Sequence, residues 1–341
     1  MSEQVIWGLA GVLLGGFLNG SFALPMGRLA AWRWENTWLL YAFVGMVIAP
    51  WTLAAVTVPG FMEVYHHATW TTLVAVSLFG FGWGLGSTLF GLGLRRVGMA
   101  LGMSIILGIT AALGSLLPLV VLHPRQVVSR QGYQLIAGTL LVILGVVFCA
   151  LAGRRREQEV PSAAQGTASR GFITGLVICI FSGILSAMLN FGFVFGNELQ
   201  QLTLALGVSP AVSANLIWSL ALSAGFVVNA VYCSYLLSKN RTWALYAVRS
   251  TPPGYWFGAL LMGLIWFSGI AVYGIGAAAL GSLGGILGWP LFIIMVIMAA
   301  NFWGMVTGEW KGVSRRAYGY LLIGIAILLM AVFVISSGGM A

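Results

Sequence analysis

Residues 79–93 read FGFGWGLGSTLFGLG, and residues 262–276 read MGLIWFSGIAVYGIG. Laid 183 positions apart, Gly80, Trp83, Gly86, Phe90, Gly91 and Gly93 fall on Gly263, Trp266, Gly269, Tyr273, Gly274 and Gly276. The register continues from Gly98 and Gly102 to Gly281 and Gly285, so seven identities and one aromatic exchange hold across helix, loop and helix. Each stretch sits in an apolar run long enough to cross a bilayer core, which needs about 20 helical residues. The chain therefore reads as a duplicated membrane protein. Weaker echoes join Gly8-Leu9 and Gly16 to Gly175-Leu176 and Gly183, and Gly138 to Gly324.

Working outward, ten such runs appear: Val5–Leu24, Trp38–Val58, Thr71–Leu92, Met99–Val121, Gln134–Ala152, Phe172–Phe195, Ala211–Leu237, Tyr255–Ala277, Leu283–Met305 and Tyr318–Ser336. The breaks carry turn or charged residues, such as Pro59-Gly60, Arg95-Arg96 and Pro252-Pro253-Gly254. Composition agrees. Hydrophobic residues are 60% of 341 positions and charged residues 7%, against about 25% in a soluble domain. Such a chain cannot clothe itself in charge, so lipid must be most of its solvent. The net charge of +9 is arginine in short loops, not a nucleic-acid footprint. Glu3 and the length of the first run argue against a cleaved signal peptide, which needs a positive start. Cys149, Cys179 and Cys233 are isolated in apolar runs and form no metal or disulfide pattern.

The longest polar stretch, Arg154–Arg170, divides the runs five and five. It reads as a cytoplasmic linker between a first repeat, 1–153, and a second, 171–341. With loops numbered alternately, one side holds fourteen Lys and Arg, and the other holds only Arg125 and Arg130. The rich side is cytoplasmic, which leaves both termini facing the periplasm. Five helices are an odd number, so the second half enters the membrane with opposite polarity. The fold class is an all-α membrane protein of about ten transmembrane helices, arranged as two inverted five-helix repeats. Secondary transporters commonly follow this plan, with the site at the repeat interface.

Polar side chains at membrane depth must face protein or a water-filled cavity. Asn19, Ser186, Asn190, Asn215, Tyr273 and Asn301 are the substrate-binding candidates of this kind. Trp83 and Trp266 join them, since a mid-membrane indole is either packed core or a platform for a ring. Indoles suit the apolar faces of a sugar, and amides and hydroxyls suit its hydroxyl groups, so the set favours a neutral polyol. The seven acids all lie near helix ends. Glu35, Glu198 and Glu309 are the nearest to carriers of a coupled proton; the bland alternative for each is an exposed or capping carboxylate. No H-E-x-x-H, G-x-S-x-G or Walker A pattern occurs. We therefore expect no enzyme, no cofactor and no metal.

These residues also resemble a known family. Trp32-Arg33-Trp34-Glu35-Asn36-Thr37-Trp38 matches a W-x-W-E-x-x-W segment. Phe79–Gly86, Arg96-Val97-Gly98-Met99 leading to Gly108-Ile109-Thr110, Phe181-Ser182 with Asn190, Ala205–Pro210, Trp266, Glu309-Trp310 and Arg315-Arg316 extend the match over nearly the full length. The chain is similar to the L-rhamnose–proton symporters of the drug/metabolite transporter superfamily. The resemblance implies ten helices in a bacterial inner membrane and import of a deoxy sugar with an inward proton. It departs at Gly274–Pro290, which is almost all Gly, Ala, Leu and Ile here, and after Pro25, where the basic cluster is reduced to Arg28. A sugar uniporter or a drug and metabolite exporter would use the same scaffold. A membrane-embedded transferase would need a cluster of acids and bases that is absent.

Overall fold

A computed structural model of the chain describes residues 3–29, 31–97, 99–159, 172–247 and 252–338. Among the described residues there is helix and no strand. Ten helical spans among the described residues are long and apolar enough to cross a membrane. They are α1 Glu3–Arg28, α2 Trp34–Thr57, α3 Trp70–Leu94, α4 Gly102–Leu122 and α5 Arg130–Glu159, then α6 Phe172–Ala205, α7 Pro210–Lys239, α8 Pro253–Ala279, α9 Gly284–Val306 and α10 Arg315–Ser337. Each contains one of the ten apolar runs or overlaps it. The helix content follows from the solvent: in lipid a backbone must satisfy its own hydrogen bonds.

Three departures from the expected boundaries have local causes. The linker was expected to begin at Arg154, but α5 continues as helix through Glu159. Residues 160–170, with Arg170, lie outside the described residues, as do Gly98 and Arg249. The second departure is in α2, which passes through a π turn at Val44–Ile48. Pro50 follows and has no N–H to return to Met46, so the wider turn absorbs the mismatch. The third is in α6, which is not one helix but three, Phe172–Ser186, Met188–Phe195 and Asn197–Ala205. At the first break the Asn190 N–H turns back to the Ala187 carbonyl at 3.1 Å, an i−3 bond that tightens the helix.

Helix partners obey a simple exchange. α1 packs on α8 and α9, while α6 packs on α3 and α4. α2 packs on α8, and α7 packs on α3. α2 pairs with α7, α4 with α9 and α5 with α10. Replacing each helix by the one five places on returns the same set. The glycines repeat this at atomic scale. A methyl on Gly45 of α2 would lie 2.9 Å from the Gly263 carbonyl oxygen of α8; a methyl on Gly225 of α7 would lie 2.9 Å from the Gly80 carbonyl oxygen of α3. Likewise a methyl on Gly269 would lie 2.7 Å from the Asn19 backbone nitrogen, and one on Gly86 would lie 2.8 Å from the Ser186 backbone nitrogen. Without a hydrophobic force between helices in lipid, close backbone approach is what joins them.

Candidate functional site

Trp83 and Trp266 meet at the centre of this packing. Each lies near the middle of its span. Their rings stack with centroids 5.5 Å apart at 25°. Tyr41 of α2 closes on Trp266 edge-on at 6.0 Å. The Asn19 Nδ2 of α1 donates to the Trp266 carbonyl at 3.3 Å. Ser186 sits at the first break of α6, against Gly86. Four of the expected residues are thus gathered from α1, α3, α6 and α8.

A buried network lies toward the Gly285 end of α9. Asn190 is fully buried. Its Nδ2 donates to the Gly114 carbonyl of α4 at 2.7 Å and to the Gly285 carbonyl of α9 at 2.9 Å. Its Oδ1 accepts from the Tyr273 hydroxyl of α8 at 2.6 Å. One amide therefore ties three helices to α6. The Trp289 indole N–H donates to the Thr110 carbonyl at 2.9 Å, which lies beside it in the same layer. Trp218 of α7 stacks on Phe193 at 5.2 Å and 9°, and meets Tyr273 at 6.2 Å. Its indole N–H is wholly buried and has no acceptor among the described residues. An unpaired buried donor costs about 1–3 kcal/mol, so this group stands ready for an oxygen.

On the other side of the stacked pair, toward Lys239, the Trp38 indole donates to Asn229 Oδ1 at 3.0 Å. Asn229 Nδ2 donates to Ser87 Oγ at 3.2 Å and to the Gly225 carbonyl at 3.0 Å. Trp38 and Trp218 stand 180 positions apart, the same step as Gly45 and Gly225. The expected site omitted Trp38, Trp218, Asn229 and Ser87. The 180-residue step would have paired the two tryptophans, but its few matches are hidden among 47 glycines.

Two expected ligands lie elsewhere. Asn215 is buried at the start of α7, where its Nδ2 donates to Thr57 Oγ1 at the end of α2 at 2.9 Å. Asn301 is satisfied by its own helix, donating to the Ile297 carbonyl at 2.9 Å. Beside Asn215 the Tyr65 hydroxyl donates to the Leu216 carbonyl at 2.7 Å. Burial pushes this phenol up to about 12 against a smaller opposing effect of the Ser219 hydroxyl, so it remains a donor at neutral pH.

The three candidate acids differ sharply. Glu309 is exposed and pairs with Arg156 at 2.7 Å. Glu198 is near the surface and holds the start of α3, accepting from the Thr69 N–H at 2.9 Å, the Thr69 hydroxyl at 2.6 Å and the Thr72 hydroxyl. Glu35 is buried at 5% exposure in the first turn of α2. Its Oε1 accepts from Asn240 Nδ2 at 2.8 Å and from the Thr242 hydroxyl at 3.1 Å. The same loop is fixed further by Asn36 Nδ2 on the Thr242 carbonyl, the Trp32 indole on the Leu245 carbonyl and the Tyr246 hydroxyl on the Asn36 carbonyl, at 3.0, 3.0 and 2.8 Å. Glu35 thus anchors a clamp between the foot of α2 and the loop after α7.

Ten apolar spans around buried amides, hydroxyls and stacked indoles define a polytopic membrane transporter. Residues 1–341 match the family described as L-rhamnose-proton symport protein (RhaT), and the chain belongs to that family, which is one of transporters and not of enzymes. An L-rhamnose-proton symporter of Escherichia coli O17:K52:H18 is 27% identical over 344 residues, covering 99% of each chain. L-rhamnose-proton symporters of Citrobacter koseri, at 26%, and Shigella sonnei, at 27%, match over the same share.

Proposed function

We propose that this chain imports L-rhamnose, or a closely related deoxy sugar, together with a proton across a bacterial inner membrane. Both termini face the periplasm, and residues 1–153 and 171–341 act as two inverted repeats that exchange conformations. The observation that carries the reading is family membership over every residue. The exchange of helix partners five places apart supports the repeat, and the fourteen-to-two bias of basic residues supports the orientation.

The sugar binds between the halves, at the level of Trp83 and Trp266. The indole faces take its C–H faces and its methyl group. Asn190, Tyr273 and the free Trp218 N–H exchange bonds with its hydroxyls. Asn190 and Tyr273 satisfy each other, so a sugar replaces existing bonds and adds one at Trp218. This makes binding specific for hydroxyl geometry.

The proton binds Glu35. The position 180 residues on is Asn215, which ties the start of α7 to the end of α2, as Glu35 ties the start of α2 to the end of α7 and its loop. One clamp is titratable and its counterpart is not. A carboxylate accepts stronger hydrogen bonds than a neutral acid, so protonation of Glu35 loosens the cytoplasmic clamp. Arg33, Cys233 and Tyr246 are the ionisable groups that act on it or are acted on by it. Release of the proton inward restores the clamp and resets the carrier.

Counterflow of radiolabelled L-rhamnose in proteoliposomes, with and without an imposed pH gradient, tests the reading. Exchange of labelled sugar, driven uphill by an inward proton gradient, is the expected result. No exchange of any deoxy sugar would overturn it, and uptake indifferent to the gradient would remove the proton.

A further inference from the structure

Two adjoining cavities lie away from the central site, on the face formed by α4, α5 and α10. The first is an apolar groove of about 400 Å³ between α4 and α5, open to the side. Gly108 leaves its floor vacant, since a methyl there would meet nothing within 4 Å. Along α5 the lining runs from Ile143 to Arg154. Eleven steps of 1.5 Å make about 16 Å, close to half of a hydrocarbon core about 30 Å thick. The second cavity, about 300 Å³, shares Leu151 and Arg154 with the first and adds Arg155, Gln158 and Tyr320. Slot and cup are thus continuous.

The charge in the cup has one sign, for no carboxylate among the described residues lines either cavity. Arg156 is taken by Glu309 at 2.7 Å. Arg155 lies 5.1 Å over the Tyr320 ring, which fixes its guanidinium at the rim. Glu159, which feels the charge of Arg155, is held by the Ser314 N–H and hydroxyl at 2.6 Å each. Arg154 is exposed at the junction of slot and cup. A one-leaflet apolar slot ending in two arginines complements an amphiphile with one anionic head.

We propose that this groove is a binding site for an anionic phospholipid, with one acyl chain between α4 and α5 and the phosphate on Arg154 and Arg155. The lipid bridges α5 to α10 through Tyr320 and does not depend on what the central site transports.

The test is native mass spectrometry of the detergent-purified protein, offered equal amounts of phosphatidylglycerol and phosphatidylcholine. Phosphatidylglycerol is expected to be retained preferentially. Arg154→Gln and Arg155→Gln should each lower its retention by about fivefold, the worth of one basic residue at an anionic surface. Arg28→Gln with Lys239→Gln should leave it unchanged. On the unaltered protein, phosphatidylglycerol with a photoactivatable acyl chain should label the segments 104–112 and 143–151. Equal retention of the two lipids, retention insensitive to both arginines, or labelling confined to other helices would overturn the proposal.

Discussion

The indole of Trp83 lies on the indole of Trp266, centroid to centroid at 5.5 Å. These are the two tryptophans that the 183-residue repeat sets at equivalent positions. Two equivalent residues can face each other only where the axis relating the halves passes between them. The stacked pair marks the proposed axis, and the networks of Asn190 and Asn229 lie on either side of it. An apolar, flat and deformable joint at that point suits the exchange of conformations proposed for the two halves.

The pair should therefore carry sugar affinity. Trp83→Ala and Trp266→Ala are each expected to raise the apparent KM for L-rhamnose about tenfold, equivalent to about 1.4 kcal/mol. Trp→Phe at either position should recover part of the loss. Counterflow kinetics measure this, and an unchanged KM in both alanine variants would assign the pair to packing alone.

Trp218→Phe separates a binding role from a structural one. Its N–H has no acceptor among the described residues, so phenylalanine removes no hydrogen bond, and thermal stability should fall only by the packing that the smaller ring loses. Sugar affinity should fall about three- to tenfold, the worth of one neutral hydrogen bond. A fall in melting temperature with unchanged KM would reverse the assignment.

Asn190→Ala should behave in the opposite way. It takes the amide partner from the Gly114 and Gly285 carbonyls and the Tyr273 hydroxyl in a dry interior and leaves the last two only their long 3.5 Å contact with each other. Each buried unpaired group costs about 1–3 kcal/mol, and water entry would lower the sum. A loss of several degrees in melting temperature should accompany lost transport, whereas Tyr273→Phe should cost less because it strands only the amide oxygen.

The backbone contacts at Gly45 and Gly225 predict matched effects from separate halves. Alanine at either must move a carbonyl that lies 2.9 Å away. Overpacking of this kind costs about 1–3 kcal/mol. Gly319→Ala, with nothing within 4 Å of the added methyl, is the neutral control. Thermal unfolding followed by a thiol-reactive dye reads all three.

Much of this is legible in the amino-acid sequence, for physical reasons. Bilayer thickness imposes a run length, so ten runs of about 20 apolar residues became ten spans. Glycine spacing carried the helix contacts, because lipid leaves close approach as the main glue. Side-chain partners were less visible. Asn190 and Asn301 look alike as amides in apolar runs, yet one crosses to two other helices and the other bonds its own carbonyl. That difference depends on which face of the helix meets a neighbour. The break of α6 at Ala187 was likewise hidden, since neither Pro nor Gly marks it. Among the acids, Glu35, Glu198 and Glu309 read as equals near helix ends. Only the loop folded back through Asn240 and Thr242 buries the first of them.

Glu35 as the coupling acid is therefore the point to test most directly. Proteoliposomes with a weakly buffered exterior are given L-rhamnose, and external pH is followed with an impermeant dye. Wild-type protein should alkalinise the exterior as sugar enters. Glu35→Gln keeps an acceptor for Asn240 and Thr242, and should still exchange labelled sugar while producing no alkalinisation. Glu198→Gln and Glu309→Gln should alkalinise as wild type does. Rhamnose-driven alkalinisation that persists in Glu35→Gln at the wild-type ratio of protons to sugar would contradict Glu35 as the proton carrier.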